Sequence, residues 1–240
     1  KGIMKPDVIA PGDYVLSASS FAGDIEKPED NFMYGGLASK SGSSMATPNV
    51  AGAAALISQY FKSGKWVDKV ELDGNTLRAL IINSAKHPSE SLSPDLVYGH
   101  GFVDVSKALP LENEFGVQIT RQDKKPSIGE NGHLTATVHV NKPCTLQVTL
   151  SYLDPMLHEN SPIPLTRDLD LVVVNPSGSK QNGDHLKADT QHLSTNEKVI
   201  VDAFKVGDYT IHIFAGKFFD SSVNKENLQQ EFAVVATGEI

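Results

Sequence analysis

The segment from Ser41 to Gly52 carries residue types that nucleophilic catalysis requires. It spells Ser-Gly-Ser-Ser-Met-Ala-Thr-Pro-Asn-Val-Ala-Gly, and it runs into apolar residues at helical spacing. A serine beside a glycine at the start of a helix presents its hydroxyl next to backbone N–H groups that lack an intrahelical acceptor. Such groups stabilise the oxyanion of an acyl-transfer intermediate, which forms within about 3 Å of the attacking atom. The alternative is that Ser43 or Ser44 only caps the helix.

A second block, Lys5 to Gly12, precedes this segment and spells Lys-Pro-Asp-Val-Ile-Ala-Pro-Gly. In this order and spacing the two blocks resemble the nucleophile region of the subtilisin-like serine proteases, the subtilases. The segment Tyr98 to Asp104 is similar to the turn that closes their catalytic domain, so the resemblance covers residues 1 to about 109. It implies that Ser44 is the nucleophile in peptide-bond hydrolysis through an acyl-enzyme, and that the Ser44 N–H is one oxyanion donor.

Histidine is missing where this family carries its catalytic base. Subtilases place the acid, the histidine and the oxyanion-hole asparagine before the serine, whereas residues 1–43 contain no histidine. Eight histidines follow Ser44, and each is expected to be a surface or strand-face residue: His87, His100, His133, His139, His158, His185, His192 and His212. We therefore expect the chain to be the C-terminal part of a larger subtilase and inactive alone. Its partner is then the missing N-terminal portion, in the same protein or as a second chain.

Two other interpretations remain. In the first, the parent is a pseudoprotease or binding module, and the later β domain carries the function. In the second, Gly42 to Ala46 approximates the G-x-S-x-G elbow of α/β-hydrolases, whose histidine follows the serine. That elbow must follow a buried apolar strand, and Leu37 to Ser41 is a poor one. The elbow also leaves Lys5 to Gly12 unexplained, so the subtilase interpretation is favoured.

Apolar periodicity divides the chain into two parts. Up to about Leu109 the apolar residues recur at helical spacing, and they predict a central, closely packed helix over residues 49 to about 61. A second helix is predicted from Leu77 to Ser84, with Asp73 or Asn75 as its N-cap. The resemblance implies an α/β fold for residues 1–109, in the form of an incomplete subtilisin-like parallel sheet with helices.

From about Gly132 the apolar period changes to two, which is typical of half-buried strands. Six such runs lie at residues 134–140, 146–152, 169–173, 199–203, 209–215 and 232–236. We therefore predict that residues 110–240 form an all-β domain, an antiparallel sandwich or jelly roll. Its expected role is to brace the catalytic part.

The predicted sandwich resembles the added jelly-roll domain of some alkaline subtilases. The similarity is carried by Ser151 to Pro155, Arg167 to Val174, Pro176 to Gly178 and Asn182 to Asp184. Asp168 and Asp170 stand two apart on a predicted strand, so their carboxylates share a face. Together with Asp154 or Asp184 they are expected to bind calcium, which takes several oxygen ligands. The alternative is a solvated acidic strand face.

Composition excludes several classes of partner. The 240 residues carry 21 basic and 29 acidic side chains, a formal net charge of −8, which disfavours nucleic acid. No stretch of about 18 apolar residues is present, so no membrane span is predicted. The single cysteine, Cys144, cannot form an internal disulfide. A peptide or protein substrate is expected, and secretion or another extracytoplasmic location is implied by the resemblance alone.

Overall fold

The computed structural model describes residues 4–18, 37–64, 69–89, 94–111, 116–119, 126–155, 165–183, 194–219 and 228–240. Within these residues the helices are α1 (Ser43–Ser63), α2 (Gly74–Ser84) and α3 (Val105–Ala108). The strands are β1 (Val15–Ala18), β2 (Leu37–Lys40), β3 (Gly116–Ile119), β4 (Ser127–Gly129), β5 (His133–Val140), β6 (Cys144–Tyr152), β7 (Leu169–Val174), β8 (Lys180–Asn182), β9 (Asn196–Ala203), β10 (Gly207–Ala215) and β11 (Gln229–Gly238). The described chain is thus mostly antiparallel β structure with a few helices.

Two antiparallel sheets occupy the second half of the chain. One has the order β5-β10-β7-β8, and the other has the order β3-β11-β6-β9 with β4 paired to β11. Alternate residues of the strands point between the sheets and form one core, which includes Val138, Leu146, Val148, Leu150, Leu171, Val199, Ile211 and Val234. The six runs of period two are therefore confirmed as β5, β6, β7, β9, β10 and β11. The specific jelly-roll assignment stays a prediction.

The first two helices form where helical spacing predicts them, with different boundaries. Helix α1 begins at Ser43, six residues before the predicted start at residue 49. Helix α2 begins after Asp73, whose carboxylate accepts a hydrogen bond from the Thr76 N–H at 2.7 Å, so the predicted N-cap is confirmed. Helix α1 buries one side through Ile57 and Phe61. Its other sides are exposed, and the Leu56 residue is 56% exposed. The prediction that neighbours pack closely around α1 on all sides therefore does not hold within the described residues.

Helix α2 covers the outer face of the β3-β11-β6-β9 sheet. A second core contains residues of all three helices together with two strands, among them Ile57, Phe61, Leu80, Ala108, Val117, Ile119, Ala233 and Val235. Strand β11 is consequently buried on both faces. The two predicted domains, 1–109 and 110–240, share this core, and the boundary between them stays a prediction.

Two buried polar side chains fasten α2 to the sheet. The Asn83 amide donates to Thr149 Oγ1 at 3.1 Å, and its Oδ1 accepts from Thr237 Oγ1 at 2.7 Å. Lys198 of β9 donates from Nζ to the carbonyls of residues 82, 83 and 85, at 3.2, 2.8 and 2.8 Å. Those carbonyls lie in the last turn and at the C-cap of α2, where helical N–H donors run out, and the carbonyl of residue 82 also accepts from the Ala85 N–H at 3.2 Å. Burial lowers the pKa of Lys198 to about 7.

The described residues before Leu109 contain little sheet. Strands β1 and β2 pair antiparallel, and Ile9 forms a single parallel bridge with Phe102. The parallel sheet that the resemblance implies is therefore not part of the described residues and stays a prediction. Among the described helices, none combines the length and the apolar character needed to cross a membrane.

Candidate active site

Ser44 lies at the exposed start of the longest described helix. It is the second residue of α1 and follows Gly42, the N-cap, whose φ of 144° is unfavourable for any residue with a Cβ. No side chain caps this end of the helix. The Met45 and Ala46 N–H groups donate to the Gly42 carbonyl at 3.0 and 3.3 Å, whereas the N–H groups of residues 43 and 44 precede the first helical bond and have no acceptor within the helix. This is the arrangement that acyl transfer requires of a nucleophile and its oxyanion donors.

The structure brings the two sequence blocks together around this turn. The Gly42 N–H donates to the Gly12 carbonyl at 2.7 Å, and a Cβ added to Gly12 would lie 2.8 Å from the Gly42 carbonyl oxygen. Asn49 of α1 donates from Nδ2 to the Pro11 carbonyl at 2.8 Å. The Ala-Pro-Gly segment therefore packs directly under the turn that carries Ser44, and glycine at position 12 permits the close approach.

Side chains complete the hydrogen bonding of the first turns of α1. Proline at position 48 has no N–H and leaves one helical bond unmade. Thr47 Oγ1 donates to the Ser43 carbonyl at 2.9 Å, and Asn49 Nδ2 also donates to the Met45 carbonyl at 3.3 Å. These two bonds lie on either side of the Ser44 carbonyl, to which Pro48 cannot donate.

Ser41 fastens the same turn from its other side. Its hydroxyl donates to Asp13 Oδ1 and accepts from the Tyr14 N–H at 2.8 Å. Tyr14 has a positive φ of 48°, which a residue other than glycine adopts only where neighbours hold it. Sequence reasoning missed Asp13, although an aspartate directly after the Ala-Pro-Gly segment is a common turn residue.

Strand β9 of the sandwich contacts the segment of residues 7–12, which lies against the turn that carries Ser44. The backbone carbonyl of Asp7 accepts a hydrogen bond from the His100 N–H at 2.8 Å. The Asp7 carboxylate accepts a second hydrogen bond from Asn196 Nδ2 at 3.2 Å. Ile9 pairs with the same turn through the Gly101 carbonyl at 2.9 Å. Because residues 7–9 lead directly to Gly12, β9 contacts the segment on which the Ser44 turn rests.

The described histidines make their contacts away from Ser44. His133 and His212 hydrogen-bond to each other at 2.9 Å, and His139 hydrogen-bonds to Asp208, so these three are strand-face residues as predicted. His87 and His100 are buried, with 7% and 5% exposure, and the surface prediction is wrong for both. Burial, with nearby Lys198, lowers the pKa of His100 to about 3. His158, His185 and His192 lie outside the described residues.

The predicted calcium ligands are only partly described. Asp154 accepts the N–H groups of Thr166 and Arg167 at 2.6 and 2.8 Å, so both of its carboxylate oxygens hold a loop. Burial raises its pKa. Asp168 and Asp170 lie at the start of β7, and Asp184 lies outside the described residues. Among the described residues no three or more His, Cys, Asp or Glu side chains are grouped to hold a metal, so these residues alone do not make a calcium site.

Comparison with known proteins shows a similarity to serine proteases, which the family model places in the first part of the chain. The subtilase family model matches residues 1–101, which contain both blocks and the turn at Tyr98. The chain is 27% identical over 72% of its length to the serine protease/ABC transporter B family protein tagD of Dictyostelium discoideum. It is 25% identical over 98% of its length to tagA of the same organism. It is 35% identical over 45% of its length to the subtilisin-like protease SBT2.6 of Arabidopsis thaliana.

The chain is much shorter than these relatives. It spans 12% of the length of tagD, 14% of tagA and 14% of SBT2.6. The match to tagA extends through nearly the whole chain, so the sequence similarity includes residues of the sandwich as well as those of the first helices. Over residues 1–101, this chain is similar to the subtilase family.

Proposed function

We propose that this chain contributes the nucleophile of a subtilisin-like serine endopeptidase. Ser44 is the nucleophile, and the catalytic acid and base come from the remaining N-terminal portion of the subtilase domain. The observation that carries the proposal is the exposed Ser44 on the uncapped first turn of α1, held against the Ala-Pro-Gly segment. The match of residues 1–101 to the subtilase family model supports the same chemistry.

The reaction divides peptide hydrolysis into two steps. Ser44 Oγ attacks the carbonyl carbon of the scissile bond while its proton passes to the histidine of the remaining portion. The Ser44 N–H donates to the oxyanion that forms on the former carbonyl oxygen. The leaving amine takes the proton from the histidine, and water then hydrolyses the acyl-enzyme through the same transfer in reverse.

Exposed apolar side chains support association with the remaining portion of the domain. Leu56 of α1, Leu16 of β1 and Val97 near the closing turn are 56%, 59% and 67% exposed. Covering a large apolar side chain contributes about 1.5 to 3 kcal/mol, so the complete subtilase domain gains stability by covering these residues. The sandwich braces the segment beneath the Ser44 turn through β9. Secretion follows from the family resemblance, and peptides or proteins are the substrates.

Hydrolysis of fluorescently labelled casein tests this function. The full-length protein is expected to cleave casein, and the purified 240-residue chain is expected to leave it intact, because a serine without its base is a weak nucleophile. Equal cleavage by the isolated chain would contradict the assignment of acid and base to the remaining portion. A folded full-length protein that cleaves no casein would favour the pseudoprotease interpretation.

Calcium binding to the sandwich rests on the jelly-roll resemblance alone. If Asp168 and Asp170 join oxygen ligands outside the described residues, calcium binds the folded state and raises its melting temperature. A thermal melt of the chain in calcium and then in excess chelator measures this difference. Identical melting temperatures in the two solutions would remove the calcium proposal.

A further inference from the structure

A second serine forms a hydrogen-bonded chain with a histidine and an aspartate. Ser89 Oγ lies 2.8 Å from His87 Nδ1, and His87 Nε2 lies 3.1 Å from Asp95 Oδ2. These three residues follow α2 and belong to neither of the two blocks around Ser44. The distances are those expected between a nucleophile, its base and the group that orients the base.

The direction of each hydrogen bond follows from the donor inventory. An ionised carboxylate only accepts, so His87 Nε2 carries the proton and donates to Asp95. In the neutral ring Nδ1 then holds a lone pair, which accepts from the Ser89 hydroxyl. The Ser89 N–H also points at Nδ1, at 3.3 Å. Protons are therefore donated from serine to histidine to aspartate, as in a Ser-His-Asp triad, with the two ring nitrogens exchanged.

The surroundings hold the base and the aspartate while leaving the serine accessible. The His87 side chain is 5% exposed, and the ring meets Tyr98 edge to face at 5.5 Å. Asp95 Oδ1 accepts the N–H groups of Tyr98 and Val97 at 2.6 and 2.8 Å. The Tyr98 N–H, then the Val97 N–H and His87, hold the pKa of Asp95 below its ordinary value. Ser89 is exposed.

We propose that Ser89 is a second nucleophile, which reacts with small acyl and phosphonyl electrophiles, with His87 as its base and Asp95 as a positioning residue. With a fluorophosphonate, the Ser89 Oγ–P bond forms and the P–F bond breaks, so fluoride leaves. The hydroxyl proton passes to His87 Nδ1 and from there to solvent. With an activated ester, the Oγ–C bond forms and the alcohol leaves with that proton. This reaction needs no residue of the Ser44 site.

Fluorophosphonate labelling of the 240-residue chain, with the adduct located by peptide mass spectrometry, tests the proposal. Ser89 is expected to be labelled about 10²-fold faster than Ser106, the gain typical of a positioned general base. Ser106 is a matched exposed serine, because it donates directly to the Asp104 carboxylate with no imidazole between. Ser89→Ala is expected to remove the adduct, and Ser106→Ala is expected to leave it unchanged.

Asp95→Asn separates positioning from folding. The asparagine Oδ1 keeps the two backbone hydrogen bonds of the turn, but its NH₂ group faces His87 Nε2 and imposes the other tautomer. Nδ1 then carries a proton and cannot accept from Ser89, so the labelling rate is expected to fall about 10²-fold with an unchanged thermal melt.

Two results would overturn the proposal. One is labelling of Ser89 in the unmodified chain no faster than labelling of Ser106, a comparison that requires no variant to fold. The other is an Asp95→Asn chain that is folded and labelled at the rate of the unmodified chain.

Discussion

Replacing Ser44 by alanine in the full-length protein is expected to reduce peptide-bond hydrolysis by about 10⁶-fold, a magnitude borrowed from subtilisin itself. The reason is that alanine lacks the hydroxyl that forms the acyl-enzyme in the proposed reaction. The fold should be unaffected, because Ser44 is exposed and no side chain caps the helix there. The measurement is kcat/KM on a fluorogenic peptide, together with a thermal melt of each protein.

Ser43→Ala is the matched control. Ser43 is the neighbouring helix residue, and its contribution to the turn is its carbonyl, which accepts from Thr47 Oγ1 at 2.9 Å. Alanine keeps that carbonyl, so activity is expected to change by less than about tenfold, or 1.4 kcal/mol. Equal losses in the two variants would show that the turn as a whole, rather than the Ser44 hydroxyl, had been damaged.

The second large effect is expected for Asn83→Ala, which should lower the free energy of unfolding of the chain by about 2 to 4 kcal/mol. Asn83 is 1% exposed, and its amide bonds both Thr149 and Thr237 across the contact between α2 and the sheet. Alanine leaves those hydroxyls buried without this partner, and it opens a cavity; each unmet group costs about 1 to 3 kcal/mol. Urea unfolding followed by circular dichroism measures the loss.

Asn182→Ala provides the comparison for this prediction. Asn182 is exposed on β8, so its replacement is expected to stay within about 0.5 kcal/mol. A double-mutant cycle of Asn83→Ala with Thr237→Val isolates the 2.7 Å bond between the two side chains, with an expected coupling of about 0.5 to 3 kcal/mol. A coupling of zero would mean that this hydrogen bond does not hold α2 to the sheet.

Period-two patterning predicted the strands well because one face of each lies between the sheets. In β7 the burial alternates at every residue, as the pattern requires. The same rule misled at β6 and β9, whose alternate polar residues suggested a solvated face. Thr149, Ser151 and Lys198 are instead buried, because α2 lies over that side of the sheet. Helix α2 is distant in sequence from β6 and β9, so the apolar periodicity of these strands does not indicate that contact.

At the candidate site, too, features within a short segment could be predicted from the sequence, whereas contacts that depend on the fold could not. The two blocks assigned Ser44 and Gly12 to one region, and the structure adds the contact between the blocks, from the Gly42 N–H to the Gly12 carbonyl. The start of α1 was misplaced, because the prediction relied on apolar spacing that begins at residue 50, whereas the first turn of the helix consists largely of small and polar residues. His87 was expected at the surface, and its contacts with Ser89 and Asp95 depend on how the connection after α2 folds.

Phosphonate labelling at Ser44 is the most direct test of the central claim, that this hydroxyl is the catalytic nucleophile of a subtilase whose base lies outside the chain. The full-length protein and the 240-residue chain are each treated with a fluorophosphonate, and the adducts are located by peptide mass spectrometry. We predict a rapid adduct on Ser44 in the full-length protein and none on Ser44 in the 240-residue chain. A full-length protein that cleaves peptides while Ser44 stays unlabelled, or equal labelling of Ser44 in both proteins, would contradict the account.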